Sequence, residues 1–153
     1  TLIELGIVIG VMAILATVVL MGKGFIESAK QTKAMQTINS LISASRTYAK
    51  QANGGVSYDG VTIGAMATAN ILPSNTVENP WDLTCTCGGA PCNTDCGAMG
   101  VCVDAGAAPF ESVLVYMCVP SAEVCGEMET AFENSGTGTC AAVGGDYFRF
   151  EVN

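Results

Sequence analysis

An uncharged apolar segment near the start of the sequence is the strongest constraint on how this chain can fold. From Leu5 to Gly22, eighteen consecutive residues carry no charge. As an α-helix this segment measures about 27 Å, close to the thickness of the hydrocarbon core of a bilayer. A secretory signal peptide would have a basic region before the apolar run and a small-residue cleavage site after it. Here Glu4 precedes the run and more helical pattern follows it, so we predict a retained segment.

A second helical pattern continues the first. From Phe25 to Asn53 nine residues recur at helical spacing on one face: Ala34, Met35, Ile38, Leu41, Ile42, Ser45, Tyr48, Ala49 and Ala52. Asn53-Gly54-Gly55 is a typical helix end. The sequence therefore predicts one helix of about 50 residues, far longer than usual. A remainder of about 100 residues cannot bury its first half, which must protrude into lipid or other subunits.

One stretch weakens this helix, and shorter elements follow it. The two glycines of Gly22-Lys23-Gly24 each cost about 1 kcal/mol relative to alanine. Beyond the helix, the pattern predicts a second helix, three strands, a third helix that Ser121 caps, and a loop excursion. In chain order these are a helix over Val61–Ile71, a loop over 82–110 with a strand at Gly100–Val103, a strand at Glu111–Val119, a helix over Ser121–Phe132 and a strand at Asp146–Val152.

Charge divides the chain into two unequal parts. Residues 1–53 hold five basic residues against two acids, a net of +3, whereas residues 54–153 hold only Arg149 against twelve acids, a net of −11. An acidic head would repel phosphates, so we predict no nucleic-acid partner for it. The acids are typical of a solvated surface that keeps a protein soluble.

Eight cysteines, all beyond residue 84, and the absence of histidine limit the chemistry of the chain. An even number of cysteines in a loop-rich region favours disulfides formed in an oxidising compartment. A thiolate metal site is the alternative, but the paired C-x2-C units of zinc sites are absent. Without histidine or a Gly-x-Ser-x-Gly motif, no catalytic constellation is present. We predict no enzymatic activity, no metal and no cofactor.

The opening residues resemble those of a known family. Thr1-Leu2-Ile3-Glu4-Leu5-Gly6-Ile7-Val8-Ile9-Gly10 is similar to the start of mature type IV pilins and the related secretion pseudopilins. The later order of a long helix, Leu-Pro, Asn-Pro-Trp, a strand and Val119-Pro120-Ser121-Ala122-Glu123-Val124-Cys125 resembles the type IVb branch. The cysteine-rich stretch from Cys85 to Cys102 has no counterpart in that resemblance.

The resemblance implies an α+β fold shaped like a ladle. A long protruding N-terminal helix would pack on a head with an antiparallel β-sheet and disulfides. The expected divisions are a membrane or filament-core helix over 1–24, the amphipathic half of that helix over 25–53 and the head over 54–153. In the family a peptidase removes a leader, methylates the new N-terminus, and leaves the glutamate four residues after a bulky first residue. Glu4 stands three residues after Thr1, so we expect a modified residue before Thr1.

Four residues near the start are predicted to act in assembly. A charge at the edge of an apolar run costs several kcal/mol to bury unless it is paired. The resemblance implies that Glu4 pairs with the α-amino group of a neighbouring chain, at or near Thr1. The alternative is that Glu4 lies in the headgroup region at a helix N-terminus. Gly6 and Gly10 have the spacing of a close-packing helix motif.

The resemblance also implies one disulfide, Cys125–Cys140. Closing its 15-residue loop would contribute about 3 kcal/mol by the loop-entropy relation. The pairing of the other six stays open among 15 connectivities, with Cys118 expected to bond to the 85–102 stretch. Those six are Cys85, Cys87, Cys92, Cys96, Cys102 and Cys118.

The functional hypothesis is therefore a structural subunit of an extracellular type IV pilus, a homopolymer. Its expected partners are the inner membrane before assembly, the prepilin peptidase and the pilus assembly machinery. Two alternatives remain open. One is a pseudopilin of a secretion machine, and the other is a membrane-anchored cysteine-rich metal or redox module.

Overall fold

The computed structural model describes residues 1–74, 77–83, 100–106, 108–141 and 147–153. The fold is α+β: a long helix carries a head that contains a four-stranded antiparallel sheet. The elements, in chain order, are α1 (Leu2–Ala52), α2 (Ile63–Thr68), β1 (Val101–Ala105), β2 (Val113–Cys118), α3 (Ala122–Phe132), β3 (Thr137–Ala141) and β4 (Tyr147–Val152).

Helix α1 is continuous over 51 residues and passes through Gly22 and Gly24 without a break. Only its second half has buried side chains: Ala34, Ile38, Leu41, Ile42, Ala44, Ser45 and Ala49. The predicted buried face is thus largely confirmed, with Met35 and Tyr48 partly buried. Ala52 is exposed, so its prediction was wrong, and Ala44 was missed.

Helix α1 ends at its capping residue Asn53, as the sequence predicts. Asn53 caps the helix, and Gly54 and Gly55 follow with φ of 64° and 81°, a conformation that side chains disfavour. The Asn53 amide nitrogen also donates to the carbonyl oxygens of Ser57 and Asp59, at 3.1 and 2.9 Å. The chain therefore turns back toward the head at Asn53.

The strands lie in the order β1-β2-β4-β3. Along each strand the side chains alternate between two faces. In the register, Val103 faces Val115, and Val115 faces Phe150. This inner face, α3 and the second half of α1 enclose the main core. A smaller cluster on the outer face contains Cys102, Leu114 and Tyr116.

Several predicted boundaries shift. Helix α2 is shorter than predicted, because Thr62 caps it and Asn70 follows it with a φ of 57°. The three predicted strands exist as β1, β2 and β4, with bounds that differ from the predicted ones by no more than two residues; the predicted first residue of the last strand, Asp146, lies outside the described residues. Helix α3 is confirmed with Ser121 as its cap, and the Ser121 hydroxyl accepts from the Val124 N–H.

Strand β3 was not predicted. Its sequence, Thr-Gly-Thr-Cys-Ala, contains a glycine and lacks large apolar residues. The glycine has a packing role, because a Cβ at Gly138 would lie 2.9 Å from the ring of Phe148. The β-branched residues Thr137 and Thr139 were the available signal.

Candidate assembly surface

The first half of α1 exposes a continuous apolar surface. Sixteen large apolar side chains between Leu2 and Ile26 are at least 50% exposed. The sixteen are Leu2, Ile3, Leu5, Ile7, Val8, Ile9, Val11, Met12, Ile14, Leu15, Val18, Val19, Leu20, Met21, Phe25 and Ile26. Exposed apolar surface on this scale marks a site of contact with protein or lipid.

This segment is the one helix in the described part of the chain that is long and apolar enough to cross a membrane. None of its eighteen-residue apolar window is buried against the head. It therefore differs from the core helix of a soluble protein, which passes the same length and composition test while mostly buried. The hydroxyl of Thr17 donates to the carbonyl oxygens of Ala13 and Ile14, so it adds no unpaired donor to the apolar surface.

Glu4 has a partner within its own chain. Its Oε2 lies 2.6 Å from the Thr1 ammonium nitrogen, and both side chains are 78% exposed. The Thr1 hydroxyl accepts from the Glu4 N–H in a capping box. The partner predicted for Glu4 is the amino group of a neighbouring chain, and this contact within one chain was not predicted. Because the pair is exposed to solvent, it contributes little to stability.

Gly6 and Gly10 lie on an open part of the helix. Apart from the neighbouring backbone of α1 itself, a Cβ at either position would have no described atom within 4 Å. The two lie one turn apart and on one face, where small residues permit close approach of another helix. No described residue of the head lies within 4 Å of a Cβ at either glycine, so a packing role among the described residues is not observed.

The disulfide Cys125–Cys140, predicted through the resemblance, is present and joins α3 to β3 with its Cα atoms 5.9 Å apart. Cys102 and Cys118 are also disulfide-bonded. Cys85, Cys87, Cys92 and Cys96 lie outside the described residues, so their pairing stays a prediction. No described cysteine is free.

Two groups on the outer face of the sheet have perturbed acidity. Burial raises the pKa of the Asp104 carboxyl, while the Ala105 N–H that it accepts lowers it. Burial also raises the pKa of Tyr116, and the Arg149 charge opposes that rise. Among the described residues, no group of three or more His, Cys, Asp or Glu side chains has an arrangement that could hold a metal ion.

The junction between α1 and the head contains residues that sequence analysis missed. The indole N–H of Trp81 donates to Glu27 Oε1 over 2.7 Å. Asn79 is only 4% exposed, and its side chain is fully engaged with backbone groups. In the sequence the Asn-Pro-Trp motif contributes only to the resemblance, and its contact with α1 spans 54 residues.

Comparison with protein-family models, curated proteins and solved structures finds no match to this chain.

Proposed function

We propose that this chain is a structural subunit that polymerises through the first half of α1 into an extracellular type IV pilus. The observation that carries the proposal is the complete exposure of the apolar window of α1 beside a head that buries its own core. A surface of this kind needs a permanent apolar environment. A bilayer supplies that environment before assembly, and the helices of neighbouring copies supply it in the filament.

Glu4 supports assembly rather than simple anchoring. Transfer of its carboxylate from solvent into an apolar filament core costs several kcal/mol unless a cation accompanies it. The first basic side chain of the described helix is Lys23, so the proposal pairs Glu4 with the N-terminal amino group of a neighbouring copy. Such a contact between copies keeps the charge paired. It would also fix the axial step between subunits.

Gly6 and Gly10 support close contact between helices. Lipid tails are as apolar as leucine, so burial alone does not drive helices together within a membrane. Close packing at small residues, together with polar pairs, drives that association. The open glycines and the Glu4 carboxylate are features of this kind on the same first three turns of α1.

The head is suited to exposure outside the cell. The disulfide between Cys125 and Cys140 ties α3 to the edge strand β3, and Cys102 and Cys118 are also oxidised. These four sulfurs are consumed by disulfides, which supports a filament surface over a thiolate metal or redox module. The inner membrane, a prepilin peptidase and the assembly machinery are the partners that the proposal requires.

Shearing of surface appendages tests the proposal. Cells that produce the full chain are sheared, and the released fraction is examined by electron microscopy and intact-mass spectrometry. We expect the released fraction to contain long filaments that consist of this chain. A chain found only in the membrane fraction, or only in short periplasmic rods, would reject the pilus in favour of an anchor or a pseudopilin.

A further inference from the structure

Among the described residues, the contact nearest the protruding half of α1 is the hydrogen bond between Trp81 and Glu27. The apolar core of the head reaches α1 only from Ala34 onward. Between Glu27 and Ala34, the Gln31 side-chain amide donates to the Glu127 carboxylate of α3. Among the described residues, Glu27 is therefore the point at which the head last holds the helix before it projects freely.

Asn79 attaches the same segment to the sheet. Its amide nitrogen donates to the carbonyl oxygens of Gly100 and Cys118, at 3.1 and 2.8 Å. The Cys118 N–H in turn donates to the Gly100 carbonyl oxygen over 2.8 Å. Asn79 thus joins the residue before β1 to the last residue of β2.

The Asn79 side chain also fixes Trp81. Its Oδ1 accepts from the Trp81 backbone N–H over 2.9 Å. Pro80 lies between them and has a restricted φ, so the turn has little freedom of its own. The Trp81 ring is 9% exposed, and it presents its N–H to Glu27. A continuous path of hydrogen bonds therefore runs from the end of the β1–β2 pair, through Asn79 and Trp81, to α1.

We infer that this path, the Asn79–Trp81–Glu27 clamp, fixes the direction in which the protruding half of α1 leaves the head. Residues 2–26 form a rod about 37 Å long beyond the clamp. A change of about 10° in its direction moves its far end by about 6 Å, more than one helical pitch of about 5.4 Å. Such a displacement would separate Glu4 from any partner placed to receive it. Glu27 and Trp81 are accordingly positioning residues, whose effect is exerted at the opposite end of the helix.

The clamp rests on intrachain contacts and is independent of the proposed polymerisation. Its test uses the full chain, unassembled, in detergent micelles. Trp81 is the single tryptophan, so all tryptophan fluorescence comes from a residue of the clamp. Glu27→Ala removes the acceptor, Glu27→Gln retains an oxygen acceptor of the same shape, and Gln31→Ala removes the adjacent contact as a matched control.

Two readouts distinguish positioning from general stability. Acrylamide quenching measures access to Trp81, and residual dipolar couplings measure the direction of α1 relative to the sheet. In Glu27→Ala we expect the open population around Trp81 to rise about tenfold, since a hydrogen bond to a charged acceptor contributes about that factor. The couplings of residues 5–26 should shrink relative to those of β2 and β4, whose own couplings stay unchanged. Glu27→Gln should restore most of both signals, and Gln31→Ala should leave Trp81 protected.

Three results would overturn the inference. The first is a Glu27→Ala chain with the quenching and couplings of the wild type. The second is a Glu27→Gln chain as perturbed as Glu27→Ala. The third is an equal change in the sheet couplings, which would indicate a structural role only. If the wild-type chain forms no filaments while these variants behave as expected, the proposed function fails and the clamp stands.

Discussion

Gly100 packs directly against the carbonyl oxygen of Leu83: a Cβ at this glycine would lie 1.9 Å from that oxygen. Gly100 also has a φ of 65°, in the left-handed region. The contact brings the end of the Trp81 segment against the start of the sheet. The position therefore excludes a side chain twice, by conformation and by space.

Substitution of Gly100 should reveal both the conformational strain and the steric clash. We expect Gly100→Ala to lower the free energy of unfolding by about 3 kcal/mol, from left-handed strain of about 1 kcal/mol and a clash worth about 2. Gly54→Ala is the matched control, because Gly54 has a φ of 64° with no atom within 4 Å of a Cβ. The free energy of unfolding of Gly54→Ala should fall by only about 1 kcal/mol. Guanidinium unfolding followed by Trp81 fluorescence measures both, and equal losses would contradict the contact with Leu83.

The disulfide between α3 and β3 gives a second prediction. Cys125→Ser/Cys140→Ser opens a loop with a sequence separation of 15. The free energy of unfolding should fall by about 3 kcal/mol, because the unfolded chain regains the entropy of that loop. Each single variant is an informative companion, since it should lose at least as much and leave a reactive thiol. Unfolding midpoints in denaturant measure the effect, and a midpoint unchanged in the double variant would argue against this bond.

Asp104 gives a prediction about pH. Burial raises the pKa of its carboxyl in the folded chain above the ordinary value of 3.8. The folded state therefore holds the proton more tightly than the unfolded state, and ionisation of Asp104 lowers stability as pH rises from 3.8 through the folded pKa. Asp104→Asn keeps an oxygen acceptor for the Ala105 N–H and removes the charge.

The stability difference between Asp104→Asn and wild type should therefore depend on pH in one direction. It should favour the variant at pH 7, shrink as pH falls through the folded pKa and vanish below 3.8. Unfolding titrations at a series of pH values measure it. A variant less stable than wild type at pH 7, or a difference that grows toward low pH, would contradict the burial of this carboxylate.

Glu4→Ala tests the role of the exposed ion pair. We expect the variant to reach the membrane in normal amount, because the apolar window from Leu5 onward is intact, and to yield few or no filaments in the sheared fraction. Glu111→Ala, which removes an exposed acid of the head, is the control and should assemble normally. If the Glu4→Ala variant yields as many filaments as the wild type, Glu4 has no role in the assembly contact.

The features that the sequence predicts well are those with a local signal. The end of α1 follows from Asn53 and the glycines after it, and the start of α3 follows from Ser121 as a cap. The protruding half of α1 follows from eighteen uncharged residues that a small head cannot enclose. In each case a few neighbouring residues determine the conformation.

The features that the sequence predicts poorly depend on distant partners. The glycine in β3 disfavours a strand locally, yet the ring of Phe148 on the neighbouring strand β4 leaves no room for a side chain at Gly138. Asn79 and Trp81 have the pattern of a turn, and only the fold brings Glu27 to the indole. Ala44 lies at the margin of the apolar face, and contact with the head decides its burial. Tertiary packing supplied the information that periodicity lacks.

A cryo-electron microscopy reconstruction of filaments sheared from cells that produce the full chain tests the central claim most directly. The account predicts a core of α1 helices packed along residues 2–26, with Glu4 within hydrogen-bonding distance of the N-terminal amino group of an adjacent copy and the heads outside. A filament held together by the heads, with the first half of α1 outside the core or embedded in detergent, would contradict it.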